Sequence, residues 1–215
     1  MRVISGSAKG YGLRAPRHMK LRPTPARVKE AIFSSLAARI PGAKVLELFA
    51  GTGAFSIETL SRGAASALMV EKDGRTVALI EENLRKTKLK DRAQILRADV
   101  RQALAWLQRD GALFDIIFAD PPYYKEAASA ASQKTSPHAH PKKRENHRKA
   151  KKRSFSWVSH LLTSPFLPPL LTPQGVLLIE HFKKDILEKS PYFEFSRDFY
   201  FGDTIISVFT HASHI

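Results

Sequence analysis

The chain contains no cysteine in its 215 residues, which excludes disulfide bonds and cysteine-ligated zinc. It also lacks an uninterrupted apolar run of 18 or more residues, the length that a membrane-spanning helix needs. The longest candidate, residues 161–171, is broken by Thr163, Ser164 and three prolines. Residues 1–6 lack the apolar stretch of a secretory signal. We therefore expect a cytoplasmic protein with no membrane partner, built as one α/β domain with a short appendage.

Acidic residues are scarce relative to basic ones. The chain has 35 Lys and Arg against 20 Asp and Glu, a formal net charge of +15, and such a field attracts polyphosphate backbones. Basic residues concentrate in residues 1–30, which hold eight Lys or Arg and one acid, and in residues 127–156, which hold nine and one. We predict nucleic acid as the partner, with phosphate contacts from the amino-terminal cations Arg2, Lys9, Arg14, Arg17 and Arg22.

Residues 1–22 are expected to form a short basic β-hairpin arm, with β-like stretches at 2–5 and 12–15 separated by glycine-rich links. Residues 23–215 form the main domain, which opens with a helix over 25–39 because Thr24 is a suitable cap and Pro25 suits the first helical position. Strands and helices then alternate, which predicts a mostly parallel sheet. The predicted strands are 45–49, 67–71, 94–97, 114–119 and 175–180, the helices 54–61, 74–88, 101–109 and 157–162, and the closing antiparallel hairpin 193–201 with 204–210.

Residues 125–155 interrupt this alternation with Ala, Ser, His, Lys and Arg and little apolar content. We interpret them as a basic loop insert. Such a loop would wrap RNA or close over the site, or it is merely a solvated insertion. His138, His140 and His147 lie here without acid or cysteine partners at a ligand spacing, so we predict no metal site.

A glycine-rich loop follows the first predicted strand and enters a helix. Gly51 and Gly53 allow a ligand to approach the backbone closely at the carboxyl edge of the sheet, next to Phe49. A dinucleotide-binding loop would have a third glycine, where this chain has Ser56. Glu47 would repel a pyrophosphate and suits the cationic sulfonium and ammonium groups of S-adenosylmethionine. The loop therefore favours S-adenosylmethionine over a nicotinamide cofactor.

Acidic residues also stand at or after the ends of the next strands. Glu71, 18 residues after Gly53, is placed to accept hydrogen bonds from both ribose hydroxyls. Asp99, with Ala98 and Val100, would bind the adenine amino edge. We expect these residues to line one cofactor site, because four strands in succession carry an acid at this edge: Glu47, Glu71, Asp99 and Asp120.

The segment Asp120-Pro121-Pro122-Tyr123 follows a buried strand and suits methyl transfer to the amine of an extruded base. An exocyclic amine is a poor nucleophile because its lone pair is delocalised into the ring. Asp120 and the Pro121 carbonyl would accept its two hydrogens, with Pro122 stiffening the turn. Tyr123 would stack on the base. The alternative is a strand followed by a proline-rich turn.

The ordered set of these motifs resembles the bacterial methyltransferases that modify a guanine N2 in small-subunit ribosomal RNA. It comprises Arg22-Pro23-Thr24, residues 27–33, residues 47–53, residues 58–64 and residues 120–123. The resemblance implies a class I S-adenosylmethionine-dependent methyltransferase fold, Rossmann-like with a seven-stranded sheet, acting on ribosomal RNA or a small ribosomal subunit particle; we expect a monomer.

The chain departs from that family in two ways: Glu47 stands where the family more often has Asp, and the insert after Tyr124 is additional. Two other functions stay open. An amino-methyltransferase for adenine in DNA shares the loop and the Asp120 turn, and methyl transfer to rRNA against duplex DNA would separate the two. A non-catalytic RNA-binding assembly factor on a decayed enzyme fold would differ in failing to bind S-adenosylmethionine.

Overall fold

A seven-stranded sheet forms the centre of the protein in a computed structural model that describes residues 1–15, 26–122, 155–185 and 187–212. The strands are β1 (Lys44–Leu48), β2 (Ser66–Glu71), β3 (Ala93–Arg97), β4 (Phe114–Ala119), β5 (Leu171–Phe182), β6 (Phe193–Phe201) and β7 (Thr204–His211). Their spatial order is β3-β2-β1-β4-β5-β7-β6. The first five strands run parallel, and β7 pairs antiparallel with both β5 and β6. The predicted mostly parallel sheet with a carboxyl-terminal hairpin is confirmed.

Helices cover both faces of the sheet. They are α1 (Ala26–Ser35), α2 (Ala54–Ser61), α3 (Gly74–Thr87), α4 (Val100–Arg109) and α5 (Trp157–Thr163), with short 3-10 turns at Lys90–Arg92 and Pro168–Leu170. Caps fix where some of them begin: Asp73 accepts a hydrogen bond from Thr76 N (2.8 Å) before α3, and Asp99 accepts one from Arg101 N (3.1 Å) before α4. Each cap satisfies a backbone donor that the first helical turn leaves without a partner.

Alternation along the strands divides the core into two layers. Val45 packs in the layer that includes Ile32 of α1 and Ile80 of α3, whereas Leu46 and Leu48 pack in the layer of α4 and α5. Successive strand side chains point to opposite faces of a sheet. Glu47 lies between Leu46 and Leu48, so it faces the α1 and α2 side.

Between residues 26 and 212 the predicted element bounds hold closely, with differences at helix α1 and strand β5, whereas the β-like stretches predicted at 2–5 and 12–15 form only an isolated bridge. Helix α1 ends at Ser35 rather than 39, and the chain continues in turns closed by bonds such as Arg39 N to Leu36 O (2.8 Å). Strand β5 begins at Leu171 rather than 175. Pro173 and Gly175 are unusual inside a strand, so the sequence pattern predicted a later start. The pairing of β4 with β5 shifts register beside Phe114, and this shift accommodates the irregular segment.

Residues 1–15, the described part of the predicted arm, pack against α2. A single antiparallel bridge joins Arg2 to Gly12. The backbone N–H groups of Ile4 and Ser5 donate to the two carboxylate oxygens of Glu58 (2.9 and 3.0 Å). The segment also buries apolar side chains in the core: Val3, Ala8 and Leu13.

Several predicted features lie outside the described residues. They are Arg17, Arg22, Tyr123, the three histidines and the insert over 125–155 except its last residue. Within the described ranges, each helix is too short or too polar to cross a bilayer.

Candidate active site

The carboxyl ends of the central parallel strands meet at one edge of the sheet. Leu48 of β1 pairs with Val70 of β2 and with Ala119 of β4, and Ala119 pairs with Ile179 of β5. The residues that follow these four positions therefore stand side by side. They are Phe49, Glu71, Asp120 and Glu180.

The glycine-rich loop turns sharply at this edge. Phe49, Gly51 and Gly53 have positive φ angles of 57°, 54° and 70°, a region that only glycine enters without steric cost. A Cβ on Gly53 would also lie 3.0 Å from the sulfur of Met69 and 3.1 Å from Cγ2 of Ile80. The second glycine is thus required both by backbone conformation and by close packing, while Phe49 is a strained non-glycine residue in the turn.

Glu71 fastens this loop to β2. Its Oε2 accepts from Gly51 N at 3.0 Å, and its Oε1 accepts from Asp73 N at 2.8 Å. The side chain is half-buried, so it stays accessible from the edge. The predicted neighbours Glu71, Gly51 and Gly53 are therefore brought together.

Glu47 lies beneath the loop rather than at its surface. Its carboxylate is buried, 3% exposed, and accepts from Ser56 N (2.9 Å) and Phe55 N (3.3 Å) at the start of α2. Burial raises the pKa of Glu47 to about 7, and this effect outweighs the opposite influence of those N–H donors and of Lys29. The structure gives Glu47 a position that holds α2 against β1, and its role toward a cationic cofactor stays a prediction.

Two charged residues near this edge were not predicted as site residues from the sequence. Lys29 of α1 is half-buried, and burial lowers its pKa, while the charges of Glu58, Glu47 and Glu180 act in the opposite direction. Glu180 adds an acid on β5 to this series, beside Asp120, although β5 itself continues to Phe182. Its position at the end of an apolar run was a usable signal, whereas the approach of Lys29 from another helix was not visible in the sequence.

An open depression of about 530 Å³ lies at the ends of β2 and β3. Its lining residues are Lys72, Arg97, Ala98, Asp99, Arg101 and Gln102. Ligand pockets commonly have a volume of about 300–1,000 Å³, so the depression can hold a nucleoside-sized group beside Glu71. Asp99 lines this depression, and its contact with adenine stays a prediction, whereas Val100 is buried, 4% exposed, at the start of α4.

Cations already engage the Asp99 carboxylate. Arg101 Nε lies 3.1 Å from Oδ1, and Lys72 Nζ lies 3.4 Å from Oδ2. The hydrogen bond from Arg101 is the main reason that the pKa of Asp99 is lowered. Asp99 is therefore a carboxylate at neutral pH, and a ligand amine would share it with these two side chains.

Asp120 follows β4 directly and is exposed at the edge, with its N–H 3.5 Å from Leu48 O. Pro121 is buried and Pro122 exposed. The buried Pro121 anchors the turn, and Asp120 before it is exposed. The pairing of the strands thus places Asp120 between Phe49, which follows β1, and Glu180 of β5.

The predicted amino-terminal cations differ in their surroundings. Arg2 and Lys9 are exposed. Arg14 is also largely exposed, but its guanidinium forms an ion pair with Glu82 at 2.5 Å, so part of its charge is compensated locally. Their role as phosphate contacts stays a prediction.

Comparison with known proteins identifies relatives. The family described as "Conserved hypothetical protein 95" (Cons_hypoth95) matches residues 1–145. Over 130 residues the chain is 39% identical to the "Putative rRNA methyltransferase YlbH" of Bacillus subtilis, a match covering 60% of this chain and 71% of that protein. Over 123 residues it is 37% identical to "Ribosomal RNA small subunit methyltransferase D" of Escherichia coli. That match spans 57% of this chain and 60% of the relative.

The fold agrees with these relatives. The "Putative methyltransferase yhhF from Escherichia coli" superposes with a TM-score of 0.70 at 24% identity, covering 100% of this chain and 99% of that one. The resemblance drawn from the sequence motifs is thus confirmed at the level of the family. The chain belongs to the Conserved hypothetical protein 95 family and has the fold of S-adenosylmethionine-dependent methyltransferases.

Proposed function

We propose that this protein transfers a methyl group from S-adenosylmethionine to the exocyclic N2 amine of a guanine in small-subunit ribosomal RNA. The observation that carries the proposal is the single edge at which the glycine loop, Glu71, Asp99 and Asp120 meet. A donor site and an acceptor for an amine lie on adjacent strands there. The names of the relatives supply the substrate class, ribosomal RNA.

Residues at the edge offer contacts for separate parts of the cofactor. Glu71 would accept from the ribose hydroxyls, and the depression beside Asp99 would hold the adenine. Gly51 leaves the approach open, because a Cβ there would meet only Phe49 O, at 3.9 Å. When bound, S-adenosylmethionine supplies an electrophilic methyl group on a positively charged sulfur.

Asp120 would orient the nucleophile. As a hydrogen-bond acceptor, its carboxylate would help localise the lone pair on the guanine N2 and stabilise the positive charge that develops there. With S-adenosylmethionine bound, the nitrogen lone pair would form the new N–C bond as the C–S bond breaks with its electrons left on sulfur, and the nitrogen would then release a proton. That methylated ammonium is acidic, so Asp120 need only pass the proton on to solvent; alignment supplies most of the rate.

Charge supports an RNA substrate. Arg2, Lys9 and Arg14 are exposed on the amino-terminal segment, and Lys72, Arg97 and Arg101 surround the depression. Phosphate contacts from such side chains position an RNA backbone without reading its sequence.

The first test compares wild type, Asp120→Asn and Asp110→Asn in transfer of a tritiated methyl group to ribosomal RNA. Asp110 is an exposed acid at the far end of α4, so its variant controls for the loss of one carboxylate. We expect Asp120→Asn to lower kcat about 100-fold or more, with the Kd for S-adenosylmethionine by calorimetry within about threefold of wild type. Wild-type turnover in Asp120→Asn would contradict the proposed role.

The second test identifies the product. Mass spectrometry of nucleosides from the methylated RNA should show N2-methylguanosine, with duplex DNA as a parallel substrate. Methylation of adenine, or a preference for DNA, would overturn the proposed substrate.

A further inference from the structure

An aromatic cluster stands beside the candidate active site, at the start of α5. It consists of Phe155, Trp157, His160 and Phe49. The Trp157 ring makes edge contacts with Phe49 at 4.9 Å and with Phe155 at 5.0 Å between centroids, and His160 lies 5.6 Å from Trp157. These residues are brought together by the fold, since Phe49 and Trp157 are far apart in the chain.

The cluster continues outward from the sheet edge that carries Asp120. Phe49 is the residue after Leu48, whose carbonyl lies 3.5 Å from the N–H of Asp120. From Phe49 the rings continue through half-buried Trp157 to Phe155, which is 55% exposed. The Phe155 and Trp157 rings are almost perpendicular, at 85°, and the Phe155 ring also lies 5.7 Å from His160. More than half of Phe155 nevertheless stays exposed to solvent.

The surroundings of the cluster are cationic. The Arg101 guanidinium lies 5.5 Å from the Trp157 ring centroid, and Arg101 shares the nearby depression with Lys72 and Arg97. Burial, and next the charge of Arg101, lower the pKa of His160, so its imidazole is neutral at pH 7 and adds a ring rather than a charge. Exposed aromatic rings next to cations are the combination that binds unpaired nucleotides, because bases stack while phosphates pair.

We propose that Phe155, supported by Trp157, stacks on an unpaired RNA base next to the target guanine. This inference rests on the proposed function and deepens it, because it makes an unpaired segment the preferred substrate. Duplex RNA keeps its bases stacked on one another and offers no free face to the ring. The cationic side chains around the depression then receive the neighbouring phosphates.

The test uses the full-length protein with two matched variants, Phe155→Ala and Phe195→Ala. Phe195 is 56% exposed on β6, which lies at the far edge of the sheet, so its variant removes an equally exposed ring elsewhere. We expect Phe155→Ala to raise KM for an rRNA fragment about 5- to 100-fold, with kcat and the Kd for S-adenosylmethionine each within about threefold. Phe155→Trp should restore KM, and Phe195→Ala should behave as wild type.

A binding experiment separates this inference from the proposed reaction. RNA strands carrying 2-aminopurine beside the target should lose fluorescence on binding wild type and lose much less with Phe155→Ala, whether or not methyl transfer occurs. An unchanged KM and unchanged quenching in Phe155→Ala would overturn the stacking site. A selective loss of cofactor affinity would instead assign Phe155 to the adenine pocket and equally overturn it. Absence of methyl transfer by wild type, with quenching intact, would reject the proposed function alone.

Discussion

The buried carboxyl of Glu47 should make the stability of this protein depend on pH. Its pKa is raised from 4.5 to about 7 in the folded protein because burial disfavours the charged form. The folded state therefore binds more protons than the unfolded state between these two values. It follows that the free energy of unfolding falls as pH rises from about 4.5 to about 7, and the loss amounts to about 3 kcal/mol.

Glu47→Gln removes this dependence because the amide is neutral at every pH. The amide NH2 cannot accept from a backbone N–H, so loss of one of the two bonds to Phe55 and Ser56 should cost about 1–3 kcal/mol at all pH values. The variant should therefore be about 1–3 kcal/mol less stable than wild type near pH 5. By pH 8 wild type has lost about 3 kcal/mol through ionisation of buried Glu47, which the variant has not, so the variant should then be as stable as wild type or more stable. The difference between the two free energies should change by about 3 kcal/mol over that range.

Urea unfolding followed by tryptophan fluorescence at pH 5, 6, 7 and 8 measures these free energies. Glu81→Gln, on the exposed surface of α3, controls for the removal of one carboxylate. Curves for wild type and Glu47→Gln that stay parallel across pH would refute the reasoning. They would mean that the helix N–H donors, and not burial, decide the charge of Glu47.

Two further predictions concern packing and a polar network. Gly6→Ala should destabilise the protein clearly more than Gly10→Ala in urea unfolding. Both glycines have positive φ angles, but only at Gly6 would a Cβ overlap backbone, 1.8 Å from the oxygen of residue 61; equal effects would contradict the docking of the amino-terminal segment on α2. Ser207→Ala should cost about 1–3 kcal/mol, since the buried Ser207 hydroxyl donates to Asp198 (2.6 Å) and lies 2.8 Å from His181 Nε2. A melting temperature equal to wild type would count against that network.

Local sequence patterns were enough to predict most strands of the sheet and the acidic residues that lie together at its edge. The apolar runs of β1 and β4 are bounded by glycine and proline, so their ends could be located to within a residue. Parallel strands end at a common edge, and the acids after them were therefore expected to lie together. Glu71, Asp99 and Asp120 do line that edge.

The direction in which side chains point was decided by the tertiary structure. The sequence marked Glu47 as a strand-end acid, but only the packing of α2 on β1 turns its oxygens toward Phe55 and Ser56. The sequence predicted a basic amino-terminal arm but not what it packs against; in the structure Glu58, more than 50 residues away in sequence, accepts hydrogen bonds from its backbone.

Periodicity, glycine spacing and charge are properties of neighbouring residues, so the chain by itself determined the strands, the loop and the basic character of the protein. Desolvation, ring contacts and ion pairs depend on groups that are distant in sequence. For that reason only the folded structure placed Trp157 against Phe49 and raised the pKa of a buried carboxyl at Glu47.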